Sequence, residues 1–203
     1  MNQSVVWILA AGLGMSAARA ADTASVPATS VASPAAHWVQ RKLSFTYMGF
    51  TTHYSCDGLR DNVREVLLAL GARKKDLQIH STGCTRLTGA PEPFPGVSVR
   101  FSVLVPATPD EIGKVGDTTA HATRWQTVDL ARLRGFEFDQ GQCELLEQLK
   151  KQALPLFTTR NLLYHSSCVP HQVSIGNIQF SVDVLRPLPA PTDAAPAAPA
   201  PAA

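Results

Sequence analysis

Hydrophobic and polar residues alternate most strictly over 96–106, where Val97, Val99, Phe101, Val103 and Val105 share one face of an extended chain. A period of two predicts a strand buried on its apolar side. The period changes over 57–71, where Leu59, Val63, Val66, Leu67 and Leu70 recur at helical spacing. Gly71 is placed to cap that helix at its C-terminus, and Ser55 or Asp57 to accept from its first free amides. Upstream, 43–55 is rich in Phe, Tyr and Thr and reads as a strand. Its inward face switches near Met48-Gly49-Phe50, which predicts a bulge. A short strand is expected over 77–84, and a Pro-rich loop over 85–95 leads into the strand at 96–106.

The same order returns in the second half. Residues 124–130 and 133–138 are strand-like, with Gly135 as an irregularity. Asp139-Gln140-Gly141-Gln142 has capping-box spacing, and the helix after it carries Cys143, Leu146, Leu149 and Ala153 on one side until Pro155 stops it. Strands are expected over 159–168 and 175–185. Phe101-Ser102-Val103 near the end of one half is matched by Phe180-Ser181-Val182 near the end of the other. Recurrence of elements in one order points to duplication. The expected class is α+β: two pseudo-repeated β-α-β-β units forming a mixed sheet, with two helices packed on one face and two disulfides.

The ends lack this patterning. Val5 to Met15 is apolar and Ala18-Arg19-Ala20 follows with small residues at the two recognition positions, the form of a secretory signal peptide cleaved after Ala20. The apolar stretch is too short to span a bilayer, which takes about 20 residues. Residues 21–36 form a spacer of Ala, Ser, Thr, Val and Pro, and 189–203 an Ala/Pro-rich tail; neither offers an apolar face to offset the entropy of ordering. One domain is therefore expected over 37–188, with halves at 37–106 and 124–188.

Charge adds exclusions. The chain carries 18 Lys and Arg against 16 Asp and Glu, a net charge of +2, and a cleaved leader would remove Arg19 alone. Such a balance is unlike that of a general nucleic-acid binder or a polybasic membrane anchor. No nucleic-acid partner and no transmembrane segment are expected. The mature protein should be soluble and periplasmic.

Four cysteines in an exported chain read as two disulfides with three possible pairings. In each half one cysteine stands where a strand passes into a helix, and the other at the far end of the next strand. If those strands are parallel neighbours joined by the crossover helix, their C-terminal ends share one edge of the sheet. That geometry pairs Cys56 with Cys84 and Cys143 with Cys168.

Candidate chemistry is sparse. His165 and His171 flank Cys168, and His53 and His80 stand near Cys56 and Cys84, spacings able to suit zinc or copper. Disulfide formation would consume the thiolates, so no metal or other cofactor is expected, and His165 with His171 is the candidate pair left. Ser55, Ser81, Ser166 and Ser167 lie near histidines, and Asp57 or Asp61 could orient a base, but no G-x-S-x-G elbow occurs. No catalytic residue is assigned. Arg86, Leu87 and Phe94 belong to a loop stiffened by Pro91, Pro93 and Pro95, a form suited to binding because little entropy is lost on contact.

Tyr47-Met48-Gly49-Phe50-Thr51-Thr52-His53-Tyr54-Ser55-Cys56-Asp57-Gly58-Leu59 and Cys143-Glu144-Leu145-Leu146-Glu147-Gln148 resemble a group of exported proteobacterial proteins of unknown function. The resemblance covers the core and omits both ends. It implies a Gram-negative periplasmic setting and carries no functional residue. The expected function is that of an exported, non-catalytic periplasmic binding or accessory module for a periplasmic protein or envelope component. The alternatives are a small periplasmic hydrolase and a His-based metal-binding protein.

Overall fold

A computed structural model describes residues 34–85, 89–107, 119–133, 142–169 and 178–189. Strand β1 (Ala36–Thr46) leads to helix α1 (Cys56–Leu70), then to β2 (Gln78–Thr82) and β3 (Gly96–Pro106). The second half repeats the order as β4 (Thr123–Asp129), α2 (Gln142–Gln152), β5 (Thr159–Ser166) and β6 (Ile178–Pro187). Two β-α-β-β units, two helices and both expected disulfides are thus present. Among the described residues no helix is long and apolar enough to cross a membrane.

The sheet arrangement differs from the expected mixed sheet. The strands form two three-stranded antiparallel sheets, ordered β1-β3-β2 and β4-β6-β5. β1 and β2 run in the same direction but do not touch, because β3 lies between them and bonds both. The alternation of Val97, Val99, Phe101 and Val103, all buried, fixes the face that β3 turns to the core and leaves open which strands bond its two edges. β6 is the equivalent centre of the other sheet, with Phe180, Val182 and Val184 buried. The paired tripeptides 101–103 and 180–182 therefore occupy matching central strands.

Cys56 opens α1 and Cys84 follows β2: the helix carries the chain towards the far end of the sheet, and β2 returns it to the end at which β1 stopped. The Cys56–Cys84 Cα atoms are 6.1 Å apart and those of Cys143–Cys168 are 6.0 Å apart. The parallel direction of the flanking strands, not their adjacency, brings each pair together.

Both helices bury their apolar stripes in one core. Leu59, Val63, Val66, Leu67 and Leu70 of α1 belong to one cluster with Leu145, Leu146 and Leu149 of α2 and the inward residues of β3 and β6. Ser55 caps α1 by accepting from the Gly58 amide at 3.1 Å. Gly71 ends it at φ 109°, a left-handed conformation that L side chains rarely adopt. Arg186 of β6 closes the same helix end, its guanidinium donating to the carbonyls of Leu68 (3.0 Å) and Ala69. Burial lowers the pKa of this guanidinium, and the charge of Arg124 adds to that.

A second cluster joins Ala36, Trp38, Leu104 and Leu185, with Trp125 against it. Here the duplication extends to a motif that the hydrophobic pattern does not carry. Arg73 lies over the Trp38 ring at 4.8 Å, and Arg160 over the Trp125 ring at 4.3 Å. Trp38, Cys56 and Arg73 recur as Trp125, Cys143 and Arg160, each pair at the same sequence separation.

Some boundaries move. Ala36, counted above with the spacer, is fully buried as the first residue of β1. The strand expected over 43–55 lies earlier and stops at Thr46, so 47–54 leaves the sheet instead of bulging within it. The irregularity expected at Gly135, the capping box and the strand over 133–138 fall wholly or largely outside the described residues.

Candidate functional site

Once Leu145, Leu146 and Leu149 of α2 are turned inward, helical geometry places Glu144, Glu147, Gln148 and Lys151 on a common outward stripe. This stripe lines a cleft of about 210 Å³. The Cys143–Cys168 bridge forms part of its wall, with Met48 and Val169 as apolar rims. Met48 is 64% exposed, Val169 is 45% exposed, and Phe50 two residues further along is 69% exposed.

The rim is held by the helix. Met48 N–H donates to Gln148 Oε1 at 3.1 Å. Glu144 Oε2 accepts from the amides of Phe50 (2.8 Å) and Thr51 (3.2 Å), from the Thr51 hydroxyl (3.0 Å) and from the Tyr47 hydroxyl (3.3 Å). Burial raises the pKa of the Tyr47 phenol, and the nearby Tyr54 and Glu144 raise it further. Glu147 Oε1 accepts from the Tyr164 hydroxyl at 2.7 Å. Tyr164 is pushed up to about 12 by burial first and by that hydrogen bond second. Lys151 makes no hydrogen bond or ion pair among the described residues, so its ammonium is available to an incoming group.

The loop singled out from sequence is anchored by a residue that reading passed over. Glu92 is only 2% exposed; its carboxylate accepts from the Thr85 amide and hydroxyl, both at 2.9 Å, and its own amide donates to the Tyr54 carbonyl. Gly83 lets the loop base close, since at φ 70° a Cβ there would stand 2.6 Å from the Phe94 carbonyl oxygen. Phe94 projects outward, 62% exposed, while Arg86 and Leu87 lie outside the described residues.

The candidate catalytic and metal residues are spread through the fold. All four cysteines are bridged, so the thiolate metal site considered from sequence has no ligands to offer. His80 stands on β2 and His165 on β5, in different sheets; His53 precedes α1, and His171 lies outside the described residues. Among the described residues no group of three or more His, Cys, Asp or Glu could hold a metal. Ser55 caps α1, Ser81 donates to the Cys56 carbonyl, and Ser166 accepts from the Cys168 amide. Asp57 and Asp61 both pair with Arg60.

The cleft residues were missed because their signal is positional. Glu144, Glu147, Gln148 and Lys151 read as an ordinary solvated helix face, and only the docking of 47–51 makes that face a wall. Comparison with protein-family models, with curated proteins and with solved structures returns no match.

Proposed function

We propose that this chain is an exported, non-catalytic binding module of the periplasm, and that the cleft beside Cys143–Cys168 receives a short apolar segment of a protein partner. The observation that carries this reading is the pair of exposed apolar side chains, Met48 and Val169, that line a concave site. Exposed apolar groups gathered around a cleft and rimmed by charge are the usual mark of a protein contact. The rim is preorganised by Glu144 and Gln148, which limits the entropy lost on binding. Lys151 supports a partner that carries an acidic residue beside its apolar one. Export is supported by two disulfides, which persist in oxidising compartments.

The test compares wild-type protein with Met48→Asp and Val169→Asp as baits in periplasmic extract, with Phe94→Ala as a control for the proline loop. The expected result is one partner retained by wild type and Phe94→Ala and lost by both cleft variants at unchanged melting temperature. Equal recovery by all four overturns the reading. Fractionation and N-terminal mapping test export, with a mature chain starting at Ala21 as the expected product.

A further inference from the structure

A second concave site, independent of the cleft beside α2, lies on the outer face of the first sheet. Register sets Lys42, Arg100 and Gln78 side by side across β1, β3 and β2, and Ser44, Ser98 and His80 in the next row of that face. All six are exposed. Lys42, Gln78, His80, Ser98 and Arg100 line a cavity of about 140 Å³.

Its charge arrangement is costly for the fold alone. Lys42 and Arg100 are directly opposite each other on paired strands, and like charges so placed destabilise a sheet. Neither forms an ion pair among the described residues. Around these two cations stand a serine hydroxyl, a glutamine amide and an imidazole, each able to donate a hydrogen bond, and among the described residues no carboxylate lines the cavity.

We propose that this cavity binds a doubly charged oxyanion, a phosphomonoester group. A phosphomonoester carries a charge of about −1.5 to −2 at neutral pH, which matches the two opposed cations better than a carboxylate does. Arg100 offers a planar fork of donors to two phosphate oxygens, and Lys42 a point charge to the third. Ser98 and His80 supply further donors one row away. The group can reach the site on a small soluble molecule or on a lipid headgroup.

The test uses the full chain and follows the backbone amide resonances of Lys42, His80, Ser98 and Arg100 at low salt. Phenyl phosphate should shift them saturably, and benzoate should bind about tenfold more weakly, reflecting the smaller charge and fewer acceptors. Arg100→Gln and Lys42→Gln should each weaken phenyl phosphate about tenfold or more. Both variants are at exposed positions, and relief of like-charge contact should leave the melting temperature unchanged or raised. Vesicles of phosphatidic acid in phosphatidylcholine, against phosphatidylcholine alone, identify the source. Binding to phosphatidic acid vesicles that is lost in Arg100→Gln indicates a lipid headgroup, and binding to phenyl phosphate alone a soluble ligand. Absence of saturable shifts, equal response to benzoate, or wild-type affinity in Arg100→Gln overturns the proposal.

Discussion

The Glu144 carboxylate accepts the backbone N–H of Phe50 at 2.8 Å and so joins the first half of the chain to the second. Glu144 lies in the first turn of α2, where a negative charge is favoured by the helix dipole. The segment it gathers, 47–51, belongs to the connection between β1 and α1. One side chain thus secures the interface between repeats and the rim of the cleft.

Glu144→Ala leaves these donors without their acceptor, and unfolding in urea should show a loss of about 1–3 kcal/mol. Met48 and Phe50 should then lose their fixed placement. Partner capture through the cleft should fall by more than the stability loss explains, whereas Phe94→Ala leaves both quantities near wild type.

Each disulfide closes a loop of fewer than thirty residues, with separations of 28 and 25. Removal of either should cost about 3.5 kcal/mol by the loop-entropy estimate. The functional consequences should differ. Cys143→Ala with Cys168→Ala removes part of the cleft wall and should abolish capture, while Cys56→Ala with Cys84→Ala should lower stability and leave capture measurable below its melting point.

Asp183 of β6 is held below its ordinary pKa of 3.8 by hydrogen bonds from Thr127 and Asn161, and by Arg160. A lowered native pKa means that the unfolded chain binds the proton first as pH falls. Its contribution is therefore complete above the ordinary carboxylate range and is lost as pH drops through the native value. Asp183→Asn should flatten the acid limb of a stability–pH curve. It should also disturb the β5 irregularity, where Asn161 sits at φ 51° and reaches Asp183.

The alkaline limb has the opposite sign. Tyr164 is pushed up to about 12, and Tyr47 is raised above its ordinary 10.0 as well. Between pH 10 and about 12 the unfolded chain releases protons that the native chain keeps, so stability declines as pH rises. Absorbance titration should show native tyrosinate appearing late. Tyr164→Phe should remove part of that delay and cost about 1 kcal/mol through its lost bond to Glu147.

What could be read from sequence was local. The α1 stripe, its Ser55 and Gly71 caps, the alternation of β3 and the cysteine pairing all follow from residues within one half. The insertion of β3 between β1 and β2 did not, because a period of two states which face is buried and not which neighbour is bonded. Glu144 and Arg186 were equally opaque. Their roles depend on partners far away in the chain, such as Arg186 on the end of α1, and a charged residue looks solvated until that partner is placed.

The order of the bridges has a consequence for how the chain matures. Cys56 joins Cys84 and Cys143 joins Cys168, so the cysteines pair in the sequence in which they leave a translocation pore or a ribosome. An oxidant that acts on each new thiol pair as it emerges makes the native set directly. The two other pairings both require a cysteine to wait for the second half. With such an oxidant the native pairs form without disulfide shuffling, and the first repeat closes covalently before the second has been delivered.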